Sequence, residues 1–192
     1  MEKMVDQIQT TRDRWFLNLH TGHTIDGRRP CLAARWPWLS DAAVFQSVTV
    51  DETGMGFQFS DGHALTAEEV LCALFGAQNR EELGPTSHAG TPDETWMDSL
   101  KTNASGTPWI RDVNPLDGGC IFITLAAGAR ITLDLHELDG YEAYSWLRNP
   151  LVSSQIRTDG GRLLFGGRYF MTAGELFDRL LQKPQGPRTR LL

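Results

Sequence analysis

Thr66-Ala67-Glu68-Glu69 and Thr172-Ala173-Gly174-Glu175 are the same helix-opening signal, written twice, 106 residues apart. In each, the threonine hydroxyl can accept from the amide three residues on, while the glutamate reaches back to the threonine's own N–H, the reciprocal pair of a capping box. Leu65 with Val70, and Met171 with Leu176, occupy the flanking positions of a hydrophobic staple. Val70, Leu71, Leu74 and Phe75, then Leu176, Phe177, Leu180 and Leu181, follow at helical spacing. Such a chain is constrained to build one amphipathic helix twice and to give each copy a sheet to cover.

The match extends upstream. Trp15 to Ile25 and Ile121 to Ile131 each place apolar residues around a turn glycine, Gly22 or Gly128, as a β-hairpin requires. Trp38-Leu39 and Trp146-Leu147 then precede a short helical turn, opened by Ser40 or Asp41 in one copy and by Asn149-Pro150 in the other. The offset has become 108 here and returns to 106 at the next hairpins, Phe57-Gln58-Phe59 and Leu163-Leu164-Phe165, with turns at Ser60-Asp61-Gly62 and Gly166-Gly167. An insertion confined to a connection is what two copies of one unit would tolerate.

The predicted fold is therefore α+β: two similar β-meander-plus-helix modules, 12–77 and 118–183, in a pseudo-twofold arrangement. The Gly-, Pro-, Ser- and Asp-rich stretch 78–117 reads as a linker, with a helical turn or two around Trp96. A duplicated chain can reproduce internally the dimer that one module would form, so a monomer with an internal pseudo-dimer, or a weak homodimer, is expected.

Composition narrows the function classes. Of 192 residues, 41% are hydrophobic and 22% charged, which is ordinary for a globular chain. A net charge of −6 disfavours a general nucleic-acid or anionic-membrane surface. Three cysteines without close pairing argue against a disulfide framework and for a reducing, cytoplasmic setting; no apolar run approaches bilayer-spanning length.

Each unit resembles the bacterial domain of unknown function 2442, in which a Gly hairpin leads to a capped turn, an Asp-bearing strand and a second hairpin before the helix. Leu19, Gly22, Asp41, Phe45, Val48, Asp51, Phe59, Asp61 and Gly62 carry the likeness, and more loosely Leu125, Gly128, Asn149, Val152, Ile156, Asp159 and Phe165. The resemblance implies a compact α+β module and a regulatory or protein-binding role, with no activity to carry over.

Residues shared by both units are explained by folding, which directs attention to the unshared ones. Trp36, Trp96 and Trp109, with Arg35, have the composition of interface anchors and are the predicted partner-binding residues of a non-enzymatic inhibitor, antitoxin-like or regulatory protein. The rival reading is a metal-binding protein or enzyme using His20, His23 and His63, although these lack the paired Cys or His spacing of a zinc site and read as solvent-facing turn residues. A third is nucleic-acid binding along Arg157, Arg162 and Arg168, extended by Arg188 and Arg190. No catalytic residue and no cofactor is predicted, since neither a nucleophile elbow nor a phosphate-binding loop occurs.

Overall fold

The structure is a computed structural model that describes residues 3–84, 102–103, 106–138 and 141–182. It is an α+β fold in which, among the described residues, twelve strands form one six-stranded and two three-stranded sheets. The large sheet contains β1 (Val5–Thr10), β2 (Arg14–Leu19) and β3 (Thr24–Arg28) from the first half of the chain. The second half adds β7 (Ile110–Pro115), β8 (Cys120–Leu125) and β9 (Arg130–Asp134). Their order, β1-β2-β3-β9-β8-β7, is antiparallel throughout. The halves meet at the β3–β9 seam, where Ile25 stands opposite Ile131, between the pairs Thr24–Thr132 and Asp26–Arg130.

The small sheets are β4 (Thr49–Val50), β5 (Gly56–Gln58) and β6 (Ala64–Thr66), and β10 (Ile156–Thr158), β11 (Arg162–Phe165) and β12 (Tyr169–Thr172). The meander predicted for each unit is thus divided: its first hairpin joins the shared sheet, and its later strands stand apart.

Two strands lie where none is predicted: β1 begins ahead of the first unit, and β7 falls within the stretch 78–117 read as linker. Both are edge strands with few buried side chains, Val5 in β1, Ile110 and Val113 in β7, so their apolar pattern is too sparse to announce them. Backbone ladders hold them instead. Each carries an irregularity at its start, between Val5 and Gln7 and between Ile110 and Asp112. Each is also stitched to a small-sheet turn: the Val5 N–H donates to the Gly54 carbonyl at 2.9 Å, and the Ile110 N–H to that of Gly160 at 2.8 Å.

The helices are α1 (Arg29–Arg35), α2 (Ala42–Gln46), α3 (Ala67–Phe75), α4 (Leu135–Leu138), α5 (Pro150–Ser153) and α6 (Ala173–Leu181). At α3 the capping box closes fully: Thr66 Oγ1 accepts from the Glu69 N–H at 3.2 Å and Glu69 Oε2 accepts from the Thr66 N–H at 2.8 Å. At α6 Thr172 Oγ1 accepts from the Glu175 N–H at 3.1 Å, while the Glu175 carboxylate lies buried and also receives the Tyr144 phenol. Asp41 and Asn149 cap α2 and α5, as their residue types predict. Gly22 and Gly128 turn their hairpins at φ of +89° and +95°, a region that disfavours any side chain.

One hydrophobic core runs between the large sheet and the elements packed on it. Trp15, Leu17, Leu19, Ile25, Ile121, Ile123, Leu125, Ile131 and Leu133 supply the sheet's inner face. Phe75 of α3 meets Phe177 of α6 edge to face at 5.4 Å, so the two helices close the core from both halves. Burying each such side chain contributes about 1.5–3 kcal/mol. Trp38 packs on Phe59 and stacks on His63, and Trp146 packs on Phe165 and stacks on Tyr169, anchoring the connections to the small sheets. No helix among the described residues is long and apolar enough to cross a membrane.

Candidate functional site: the outer face of the large sheet

Period-2 alternation gives the large sheet one buried and one outward face. In β2, Trp15, Leu17 and Leu19 point inward and Arg14, Phe16 and Asn18 outward; in β8, Ile121, Ile123 and Leu125 point inward and Cys120, Phe122 and Thr124 outward. Register sets the outward side chains in rows. Gln9, Phe16, Asp26, Arg130, Thr124 and Asp112 form one row across all six strands. Gln7, Asn18, Thr24, Thr132, Phe122 and Asn114 form the next.

At the centre Asp26 receives two guanidinium groups. Arg130 Nε donates to Asp26 Oδ2 at 2.8 Å, and its Nη2 lies 2.6 Å from the same oxygen; Arg14 Nη1 takes Oδ1. Arg130 also lies over the Phe122 ring, 5.7 Å from its centroid. Directly across from Arg14, on β3, stands Arg28, exposed. A cavity of about 330 Å³ opens between Phe16 and Phe122, floored by Thr24, Thr132, Asp26 and Arg130. Strand spacing puts β2 and β8, three strands apart, at a separation of about 14 Å, enough for an extended peptide segment to lie between the rings.

The predicted partner-binding residues lie elsewhere. Trp109 is 2% exposed and belongs to the core, which removes it from any contact surface. Arg35 donates through Nη1 to the Ala77 carbonyl and through Nη2 to that of Gln78, both at 2.7 Å, satisfying carbonyls just beyond α3. Trp36 is half-buried beneath the Arg35 guanidinium, 5.3 Å from its ring centroid. Trp96 lies outside the described residues.

The three histidines are held by separate partners. His20 Nδ1 lies 3.1 Å from Asp6 Oδ1, and His63 Nδ1 is 2.8 Å from Asp61 Oδ2 while its ring stacks on Trp38 at 4.2 Å. His23, predicted at a solvent-facing turn, is buried, because α6 packs against that turn and the Thr21 hydroxyl donates to the Leu180 carbonyl at 2.8 Å. Desolvation lowers the His23 pKa to about 4, against the upward pull of Asp134, whose N–H donates to its Nδ1 at 3.4 Å. Among the described residues no group of three or more His, Cys, Asp or Glu converges to hold a metal ion.

The arginine edge is broken as well. Arg162 is 9% exposed, bonded through Nε to Asp159 Oδ2 at 2.8 Å and packed on Phe170, so it is a buried strut. Arg157 and Arg168 are exposed, and Arg188 and Arg190 lie outside the described residues. Burial raises the pKa of Cys72 to about 11 and those of Cys31 and Cys120 above the usual thiol value, which holds all three as poor nucleophiles.

Phe16 and Phe122 are not among the predicted site residues because they stand 106 positions apart, at matched places of the predicted repeat, and so count as folding residues. The signal available was their parity: in Arg14-Trp15-Phe16-Leu17-Asn18-Leu19 the phenylalanine shares its face with Arg14 and Asn18. Compared with known proteins, the chain matches no family model, no curated protein and no solved structure.

Proposed function

We propose that the protein is a non-enzymatic protein-binding module, an inhibitor, antitoxin-like or regulatory partner, and that it binds through the outer face of the large sheet. The observation that carries this reading is the continuous row of side chains that six strands from both halves contribute to one face, with Phe16 and Phe122 flanking the Asp26–Arg130 pair beside the amide of Asn18 and the hydroxyls of Thr24 and Thr132. Aromatic anchors on a hydrogen-bonding surface suit a polypeptide partner. Charge favours a protein over nucleic acid: Arg14, Arg28 and Arg130 on this face are matched in number by Asp26, Asp112 and Asp134, short of the cationic excess that a phosphate backbone demands.

In the same proposal the chain is a tandem duplication with an internal pseudo-twofold axis through the Ile25–Ile131 pair, positions 106 apart. Support comes from the order of the sheet, which reads alike from either edge, from the two edge irregularities, and from the Trp38–His63 and Trp146–Tyr169 stacks. The likeness of each unit to the domain of unknown function 2442 belongs to this reading and brings no activity with it. The duplication makes the face a single pseudo-symmetric surface on a monomer.

A photo-crosslinking residue placed at Thr132, at the centre of the face, should capture a discrete protein from a native lysate. The same residue at Ser40, exposed at the end of the turn Pro37–Ser40 and on none of the sheet's strands, should not. Equal adducts from both positions, or none from either, would sink the reading.

A further inference from the structure

We infer that the Arg14–Arg28–Arg130 cluster on the outer face is the seat for a carboxylate of the partner, an aspartate or glutamate in an extended acidic segment. This rests on the protein-binding reading above and specifies its chemistry.

Two guanidinium groups hold the Asp26 carboxylate, and a third, that of Arg28, belongs to the residue in register with Arg14. Asp26 is bonded by Arg130 through two nitrogens and by Arg14 through one, and Arg28 has no carboxylate partner among the described residues. Like charges directly opposite on neighbouring strands are destabilising, and Arg14 faces Arg28 in register. The compensating acids of the face sit at its far side: Asp112 on edge strand β7, tied to the Asn114 amide at 2.8 Å, and Asp134 at the end of β9, accepting from the His136 N–H at 2.8 Å. The β2–β3 side is therefore left with excess positive charge, within a protein whose net charge is −6. Planar guanidinium groups with spare N–H donors match a carboxylate in charge and geometry.

The flanking groups favour a peptide as the source of that carboxylate. Phe16 lies beside Asp26, and Phe122 lies under Arg130 on the far side of the cavity. Asn18, Thr24 and Thr132 offer donors and acceptors to a main chain between the rings. Asp26 cannot instead serve a cation, because both of its oxygens are already engaged by arginine.

The test is a titration of the full chain, followed by amide NMR, with three probes: an N-acetylated tetraglutamate amide, its tetraglutamine counterpart, and inorganic phosphate. The glutamate peptide should move the resonances of Phe16, Arg28 and Arg130, and the glutamine peptide should leave them in place. Arg28→Gln, at an exposed position that leaves the Asp26 pairs intact, should weaken the glutamate peptide about tenfold, the scale of one charge-assisted pair, without lowering Tm. Equal response to the glutamine peptide, equal response to phosphate, or undiminished binding by Arg28→Gln would each overturn the inference. Crosslinking from Thr132 separates the two levels: adducts that persist in Arg28→Gln, with no peptide response, reject the acidic seat and keep the protein-binding reading. Peptide binding without a crosslinked protein would reject the latter.

Discussion

Ile25 and Ile131 face one another across the only ladder that joins the two halves of the large sheet among the described residues, and both are buried. A pair on the proposed axis sees nearly the same surroundings from either side. Ile25→Ala and Ile131→Ala should therefore destabilise by similar amounts, about 2–5 kcal/mol each as for other buried isoleucines. Their double mutant should depart from additivity because they touch. Urea unfolding of the three variants measures both quantities; a large inequality between the single variants would count against the symmetric reading.

The same seam predicts what half the chain does. Residues 1–84 expressed alone expose β3 with Ile25 at the centre of an unpaired edge. If the halves descend from one unit, this fragment should form a homodimer through antiparallel β3 strands. Sedimentation equilibrium decides it, and a monomeric folded fragment would be the contrary result.

Gly174 lies in the first turn of α6 against the segment that follows α3. A Cβ there would stand 2.5 Å from the Gly84 carbonyl oxygen and 2.7 Å from that of Leu83. Those atoms are backbone, fixed further by Arg80, which donates to the Gly84 carbonyl and forms a two-pronged pair with Asp178. Alanine normally favours a helix over glycine by about 1 kcal/mol. Here the clash outweighs it, and Gly174→Ala should lose about 1–3 kcal/mol, as overpacked sites do. Thermal or urea melts give the sign directly.

His23 makes stability depend on pH in a defined window. Burial lowers its pKa from 6.5 to about 4. The unfolded chain takes up a proton as pH falls through 6.5, while the folded chain resists until about 4. Stability is complete above the unfolded value and declines between the two, by roughly 3 kcal/mol from this group. His23→Gln should flatten that part of the acid limb. Comparing urea midpoints of the two proteins at pH 7.5 and 4.5 tests it: parallel losses would show that other groups dominate.

Tyr144 donates to the buried Glu175 carboxylate, and burial, reinforced by that negative charge, raises the phenol's pKa. The hydroxyl stays protonated as a donor across the working pH range. Tyr144→Phe keeps the ring and removes one donor from a buried acid, so a loss of about 1–3 kcal/mol is expected. An unchanged unfolding free energy would mean that Glu175 re-pairs without cost.

What the sequence makes legible here is what local chemistry determines. Thr66 with Glu69, Asp41, Asn149 with Pro150, and Gly22 with Gly128 act within a few residues of themselves, and each appears where its type predicts. The β3–β9 seam joins residues more than a hundred positions apart, and nothing near Ile25 announces Ile131. His23 and Trp109 are misplaced for a related reason: a helix from the far end of the chain covers one, and the other enters a core that both halves build. The outer face is hidden by a different effect. Its aromatics stand at matched positions of the proposed repeat, and under that reading a surface made by joining two units is drawn from the residues that make the units alike.

The stitching of β1 and β7 to the turns at Gly54 and Gly160 bears on edge-to-edge association of the sheet. A six-stranded sheet with open edges is a template for fibril growth, since any free strand can add to it. Here an incoming strand meets a kink after Val5 or Ile110 and an N–H already committed to its own small sheet. Both ends of the sheet are blunted at their starts in the same way, which opposes strand addition there and leaves the side chains of the outer face as the surface through which the proposed recognition would act.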